Sequence, residues 1–522
     1  MSSTGSGAVT TPPQAYPEKI DAAVLKVAGV VVLGAIMSIL DITVVNVALP
    51  TFQTVFAENA ANPLPYSTVA WTVTAYTLAL ATVIPLTGWA ADRFGTKRLY
   101  TLAIVLFTAG SALCASASTI EMLIGFRVLQ GLGGGMLMPL GMTIMTKAAG
   151  PQRMGRLMAI LGIPMLLGPI MGPILGGWLI QHASWHWIFL INVPIGIVAV
   201  IYALLALPSD SPQPSESFDV VGMLLMSPGL ALFLYGISSI PGEGTFFSKK
   251  VAVPATIGVI MLLLFVFHAF RPAHPLLDLR LFRNRNLTVA TLTMFLFACA
   301  FFGGLLLVPT YFQEVRGETT LGAGLLVAPQ GIGAMVTMPI AGALADKFPV
   351  GRIVPFGLLA IIGGMFTLTQ VSSTTPYIQI IATLFVMGLG MGATMMPVMT
   401  SALKTLRRHE VARGSTLINI IQQVGSSFGV AIISVVFTNN LAETQFGGAA
   451  IAAQHDPAIA QQIGGPAGVA VGLEQAAQAF GDTFLVAACL VTLTLIPAFF
   501  LPRKREPSHI ADDEQQAPVV MH

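Results

Sequence analysis

The sequence predicts an all-α polytopic membrane protein of about fourteen transmembrane helices, arranged as six, two and six, with both termini in the cytoplasm. Three observations carry this. Of 522 residues 55% are hydrophobic and 9% charged, where a soluble chain carries roughly a quarter of its residues as charges. Apolar runs recur from Val24 to Phe500, each of the roughly 20 residues that cross a hydrocarbon core of about 30 Å as a helix. Finally, segments of the second half repeat segments of the first at offsets of 254 to 258 residues.

In chain order, residues 1–22 are polar and rich in Pro, Ser and Thr. They read as a disordered cytoplasmic tail, without the charged n-region and cleavage site of a signal peptide. Expected helices follow at 23–49, 67–90, 98–117, 121–145, 155–180 and 186–207, a six-helix bundle over 23–207. Two inserted helices, 219–240 and 251–270, occupy 208–286 with their flanking cytoplasmic loops. Helices at 287–313, 320–345, 352–372, 376–402, 413–439 and 479–501 form a second bundle over 287–502, interrupted by an external loop, 440–478, that has no Lys or Arg. Residues 503–522 form a second cytoplasmic tail. This count places 21 of the 25 Lys and Arg on the side that holds the termini, three opposite, and Arg127 inside a span. By the positive-inside rule the basic side is cytoplasmic.

The repeat joins "PLTGWAADRF" at Pro85 to "PIAGALADKF" at Pro339, and "GLGGGMLMP" at Gly131 to "GLGMGATMMP" at Gly388. Internal repeats of this kind mark secondary transporters, whose substrate sits between the halves near the bilayer midplane. The repeat fails at two charges. Asp41 corresponds to Ala300, and Arg127 to Leu384 or Phe385, so the first half alone keeps them. A charge at mid-helix costs roughly 2.5–3.5 kcal/mol even on lenient insertion scales, so it faces a partner or a cavity. At 1.5 Å per residue, Asp41 and Arg127 lie about 13 Å and about 9 Å below the same external surface. They are the candidates for coupling proton uptake to rocking of the halves; the alternative is a fixed ion pair that orients two helices.

In "GIPMLLGPIMGPILGGW" of the fifth helix, Gly168, Gly172 and Gly176 share one face, with Pro169, Pro173 and Gly177 beside them. Such spacing permits close backbone approach, and proline breaks the hydrogen-bond ladder. The helix is therefore a tight packing seam, a gating hinge, or both. The cytoplasmic loop "GWAADRFGTKR" supplies Gly88, Asp92, Arg93, Gly95 and Arg98, echoed in the second half by Gly342, Asp346 and Lys347. Basic residues alone need only the positive-inside rule, but the echoed Gly, Asp and Phe point to a latch between helices. Asn46, Tyr76, Gln130, Gln330, Asn419, Gln422 and Gln423 are candidate lining of a Met- and Phe-rich substrate cavity, with interhelical packing as their alternative role. Cys114, Cys299 and Cys489 all fall in apolar runs, and no His spacing suits a metal. No phosphate loop and no nucleophile–base constellation occurs, so neither an ATPase nor an intramembrane enzyme is indicated, and no catalytic or metal residue is assigned.

Taken together these motifs resemble those of the major facilitator superfamily. "GWAADRFGTKR" resembles its signature loop, "RVLQGLGGG" its fourth-helix motif, and "GPIMGPILGG" the antiporter motif of its drug exporters. With "LDITVVNVALP", "WHWIFLINVPIG" and "PLLDLRLFRNRN", the chain from Leu40 to about Gly429 is similar to the 14-span drug:proton antiporters of the EmrB/QacA type. The resemblance implies export of lipophilic compounds driven by the proton gradient, without another cofactor. It places Asp41 and Arg127 in the coupling site and Asp92 in a latch that stabilises the outward-facing state, and it implies that the fifth helix enforces export. His186 and Thr96 depart from the pattern by standing where basic residues are usual, and the second half offers no clear mid-membrane carboxylate, Asp482 lying near the external end of its helix. Monocations or neutral lipophiles are therefore expected over dications. The expected partners are such a substrate, protons and the lipid bilayer, with no nucleic acid, for a monomer in a bacterial inner membrane. Two other readings stand beside export of drugs: a dedicated exporter of an endogenous lipid or secondary metabolite, and a non-transporting sensor or assembly protein that docks through 440–478.

Overall fold

The computed structural model describes all of the chain except residues 1–20, 58–63, 65, 150–152, 209–216, 244, 246, 273, 408–409, 455–456 and 505–522. The expected tails at 1–22 and 503–522, and most of the linker before the inserted pair, therefore fall largely outside the described residues. What is described is helical, with no strand.

The first half holds α1 (Ala22–Val55), the single turn α2 (Tyr66–Val69), α3 (Trp71–Phe94), α4 (Thr96–Ala115), α5 (Ile120–Ala149), α6 (Met154–His182), the short α7 (Trp187–Leu190) and α8 (Asn192–Ala206). The inserted pair is α9 (Val220–Glu243) and α10 (Lys249–Ala269). After a 3-10 turn at Leu279–Arg283, the second half holds α11 (Arg285–Glu314), α12 (Thr320–Lys347), α13 (Val350–Leu368), α14 (Tyr377–Lys404), α15 (Val411–Ala442), α16 (Gly447–Ala453), α17 (Pro457–Gln462) and α18 (Gly465–Ala498). Among the described residues thirteen helical spans are long and apolar enough to cross a membrane, α7 and α8 counting as one. α6, the place of the remaining expected span, is 29 residues long.

Local chemistry sets several boundaries. The Asp21 carboxylate caps α1 by accepting from the Val24 N–H at 2.8 Å, satisfying one of the orphan donors of a helix start. That hydrogen bond, and then Arg153 at 3.2 Å, hold the Asp21 carboxyl below its ordinary range and tie the start of α1 to that of α6. Gly95 separates α3 from α4 at φ +86°, a conformation that a Cβ disfavours. Two expectations shift. The sixth helix is interrupted at Ile191, between α7 and α8. The external loop at 440–478 is largely helical: it contains α16 and α17, and α18 starts at Gly465, fourteen residues before the expected 479. At 1.5 Å per residue the 34 residues of α18 extend about 51 Å, well beyond a hydrocarbon core of about 30 Å.

The two halves repeat one packing scheme. In the first, α5 packs on α3 and α4, and α1 on α6; in the second, α14 packs on α12 and α13, and α11 on α15. The halves meet through α6 against α12 and α3 against α15. α9 lies along α3, with Trp89 against Phe218 at 4.4 Å and Trp71 stacked on Tyr235 at 5.6 Å, and reaches α15 where Phe233 meets Phe428 at 5.5 Å. α10 packs on α9 and exposes Ile257, Ile260, Leu264 and Phe267. The pair is pinned at its basic end by Asp219. This carboxylate accepts from the Gly222 N–H at 2.7 Å, from His268 Nε2 at 2.7 Å and from the Leu276 N–H at 3.2 Å.

Candidate functional site

Asp41 and Arg127 meet inside the first half. Arg127 is fully buried and Asp41 is 2% exposed, and Arg127 Nη1 donates to Asp41 Oδ2 in an ion pair. Residues of α3, α4, α5 and α8 complete the surroundings. From α5, Gln130 Nε2 donates to Asp41 Oδ1 at 2.7 Å, while its Oε1 accepts from Arg127 Nη1 at 2.7 Å. From α4, Ser111 Oγ accepts from Gln130 at 2.7 Å. From α8, Asn192 Nδ2 donates to Asp41 Oδ1 at 3.3 Å. Arg127 Nε donates to the Thr72 carbonyl at 2.9 Å, and its guanidinium lies over the Tyr76 ring, 4.1 Å from the centroid. Tyr76 in turn shares a hydrogen bond with Ser38 at 3.2 Å. Arg127 Nη2 is buried with no partner among the described residues.

The network keeps two opposite charges in an apolar interior by giving both oxygens of the carboxylate donors and two of the guanidinium nitrogens acceptors. Gly110 lets it form. A Cβ there would sit 2.7 Å from the Gln130 Cα, so α4 and α5 approach closely enough for Ser111 to reach Gln130.

Asp41 is also linked to the glycine face of α6. One residue pair on α1, Ile39 and Thr43, brackets it: a Cβ on Gly168 would meet Ile39 at 2.1 Å, and one on Gly172 would meet Thr43 at 2.1 Å. Thr43 Oγ1 donates to the Gly168 carbonyl at 3.0 Å. Gly176 continues this face against Val44, whereas a Cβ on Gly177 would meet nothing within 4 Å. The Pro173 side chain lies outside the described residues.

At the basic end the halves are clamped by two matching contacts. Arg413 Nε lies 3.7 Å from Asp92 Oδ2, and a Cβ on Gly88 would come within 3.1 Å of Thr416 and 3.4 Å of the Arg413 Cα. In the repeat-related contact Arg156 Nε lies 3.7 Å from Asp346 Oδ2, Asp346 Oδ1 accepts from the Gly155 N–H at 2.9 Å, and Gly155 and Gly342 face each other backbone to backbone. Toward the opposite end α6 changes partners. Gly155 and Gly162 face the second half, but Gly168 and Gly172 face α1. The same change occurs on α15, where Gly425 and Gly429 face α11. Arg93 is half-buried in this loop, and Arg98 and Lys347 are exposed.

The polar residues considered for a substrate cavity separate into different surroundings. Tyr76 and Gln130 belong to the ion-pair network and are fully buried. Asn46 is exposed on α1. Asn419 Nδ2 bridges the halves, 3.0 Å from the Met142 sulfur. Gln422 is buried and Gln423 half-buried on the same helix. Gln330 donates to the Met391 sulfur at 3.3 Å and lines a cavity of about 10 Å³ inside the second half with Phe301, Met365 and Met387. Sequence reasoning missed Asn192, Ser111 and Thr72, which serve the ion pair but lie 151, 70 and 31 residues from Asp41. It also missed Gly425 and Gly429, although they stand at a 257-residue offset from Gly168 and Gly172.

Comparison with known proteins agrees with this architecture. The family model described as Major Facilitator Superfamily matches residues 31–430. A "Multidrug resistance protein B homolog" of Mycobacterium tuberculosis is 45% identical over 523 residues, covering 97% of this chain and 95% of the relative. A "Putative multidrug resistance protein MdtD" of Klebsiella pneumoniae is 33% identical over 411 residues, covering 78% of this chain and 85% of its own. Among solved structures, the human organic anion transporter MFSD10 superposes with a TM-score of 0.58 at 14% identity, over 90% of this chain and 100% of that one. The proton:xylose symporter XylE also gives 0.58, at 15% identity, over 94% and 99%. These two establish the fold alone.

Proposed function

The chain belongs to the Major Facilitator Superfamily, and from that membership we propose that it is a proton-coupled antiporter exporting lipophilic monocationic or neutral compounds by alternating access. As a multi-pass bacterial membrane protein with multidrug-resistance relatives, it is a drug efflux transporter rather than an enzyme. The finer reading rests chiefly on one observation, the buried Asp41–Arg127 pair present in the first half alone. An ionised pair is neutral overall. A proton on Asp41 leaves the guanidinium, which does not lose its own proton, as an uncompensated charge in an apolar bundle. Removing one partner from a buried pair typically costs about 3–5 kcal/mol, enough to bias a conformational equilibrium by about 10² to 10⁴. The strain has a route outward, because α1 carries both Asp41 and the residues that pack on Gly168 and Gly172 of α6, whose inner end joins the latch.

With the basic side taken as cytoplasmic, the clamps of Asp92 and Asp346 close the cytoplasmic end, while α6 and α15 turn their glycine faces onto their own halves toward the other end. This arrangement supports reading the molecule as outward-facing, the state that would release substrate and admit protons. The apolar, methionine-rich interior of the second half, whose sequence offers no clear mid-membrane carboxylate, favours substrates with at most one positive charge. No cofactor beyond the proton gradient takes part, and one chain is a complete transport unit. Purified protein in proteoliposomes, with an internal pH dye and a panel of lipophilic cations, neutral drugs and lipids, tests this. Substrate export should move protons inward, and Asp41→Asn should abolish the coupled flux while leaving the fold. Coupled export of every substrate by a well-folded Asp41→Asn protein would overturn the proposal.

A further inference from the structure

A basic pocket lies at the end of the second half that carries the basic loops, away from the ion pair and outside the contact between the halves. It has a volume of about 40 Å³ and is lined by the ends of α12 and α14, the start of α13 and the segment after α18. Lys404 and Lys504 reach it with Ser401 and Thr405, and Phe348 and Pro502 form its apolar side. Its position in the repeat explains why it exists. Gly351 stands 254 residues after Lys97. In the first half the Lys97 ammonium reaches across to the Leu204 and Leu207 carbonyls at 2.8 and 2.7 Å. In the second half the corresponding bond is a backbone one, from the Gly351 N–H to the Pro502 carbonyl at 3.1 Å. The lysine is thus replaced by Gly351, next to the lining residue Val350, and a different lysine, Lys504, enters from the segment after α18.

The mouth of this pocket continues an exposed apolar stripe. On α12, Val336, Ile340 and Leu344 are exposed at successive steps of four, and Phe348, 49% exposed, is the next step and part of the pocket lining. A side chain four residues on lies over the same helix face, so acyl chains resting along this stripe end at the two ammonium groups. We propose that this pocket binds the phosphate headgroup of an anionic phospholipid of the cytoplasmic leaflet. Lys404 and Lys504 supply the charge, Ser401 and Thr405 hydroxyl contacts, and the stripe from Phe348 to Val336 holds an acyl chain. Lipid is favoured over a soluble anion because the apolar stripe runs unbroken into the charged pocket. Lys404 also acts electrostatically on Asp346, so headgroup binding bears directly on one clamp between the halves.

Native mass spectrometry of the full-length protein, titrated with dioleoylphosphatidylglycerol, dioleoylphosphatidylcholine or inorganic phosphate, tests this. The wild type should bind phosphatidylglycerol in preference to phosphatidylcholine. Each lysine near an anionic headgroup contributes roughly fivefold, so Lys504→Gln should weaken binding about fivefold and the double variant with Lys404→Gln about 30-fold. Because Lys504 is exposed, its variant should fold even where Lys404→Gln does not. Removing the same charge at Lys249 and Lys250, at the opposite end, should change nothing. Equal binding of the two lipids, or full retention of phosphatidylglycerol by the Lys504→Gln variant, overturns the proposal. Displacement of the lipid by millimolar inorganic phosphate, with the same lysine dependence, overturns the assignment to lipid and leaves a soluble-anion site.

Discussion

A buried carboxylate needs partners that hold its charge. Asp41 has three, and they differ in what their loss would do. Arg127→Gln leaves the carboxylate without its counterion and should destabilise the folded protein by about 3–5 kcal/mol. The double variant Asp41→Asn with Arg127→Gln should cost less than the sum of its parts, because no unpaired charge remains. Thermal unfolding of the four proteins in detergent measures this coupling; simple additivity would mean that the pair is not energetically linked. Gln130 binds both partners at once, so Gln130→Leu should slow proton-coupled export more than it lowers the unfolding temperature.

At the scale of helices, the determining contacts are between glycines and side chains. A Cβ on Gly172 would overlap Thr43 at 2.1 Å, and overpacking of this kind costs about 1–3 kcal/mol. Gly172→Ala should therefore destabilise the protein, Thr43→Ala should partly restore it, and Gly177→Ala, which meets nothing, should be neutral. In a melting experiment an undisturbed Gly172→Ala would show that α1 and α6 separate freely. The inserted pair depends on one carboxylate. Burial raises the Asp219 carboxyl, but hydrogen bonds from Gly222, His268 and Leu276 outweigh it and hold the group below its ordinary range. A lowered folded-state value stabilises above the unfolded value, near 3.9, and that contribution disappears as pH falls through the folded one. Anchoring of α9 to α10, read by proteolysis of the segment that follows α10 at the same end as Asp219, should be flat from neutrality to about pH 4 and weaken below it; Asp219→Asn should show the low-pH pattern at every pH.

At the scale of the molecule, two clamps of the same design close one end. Neither ion pair is short: each nitrogen–oxygen separation is 3.7 Å. Although Arg156 Nε, Asp346 Oδ2 and Arg413 Nε are buried, separations of 3.7 Å are too long for hydrogen bonds, so the charges attract without locking together, as the proposed latch requires. Asp92→Asn and Asp346→Asn should each shift the population part of the way toward the opposite state and together shift it further. Spin labels at the exposed Arg98 and Arg407 positions would report this as a growing distance across the basic end. An unchanged distance in the double variant would mean that packing of Gly155 on Gly342, rather than charge, holds the end shut. α9 complicates the same motion, since it touches α3 of one half and α15 of the other. It must slide on one of them as the halves rock. Its Trp71–Tyr235 and Trp89–Phe218 contacts, both to α3, identify the first half as the one it travels with.

Composition, the period of apolar runs and the bias of Lys and Arg were enough to read an all-helical membrane protein, because each is a direct response to the solvent: hydrocarbon excludes unpaired backbone groups and retains charge on one side. The repeat, too, was legible, as was the isolation of Asp41 and Arg127, since a charge in an apolar run stands out without any coordinates. The partners of that charge were not. Ser111, Asn192 and the Thr72 carbonyl come from three other helices, and an ordinary polar residue in a span carries no mark of what it faces. The helical content of 440–478 was hidden for a related reason: an Ala- and Gly-rich segment without Lys or Arg has no apolar period to announce a helix, and α16 is held by packing on α18. Which end is closed was decided only in the folded molecule. The same glycines permit approach to either neighbour, and it is the arrangement of α6 and α15, touching the other half at one end and their own at the other, that selects one state of the pair.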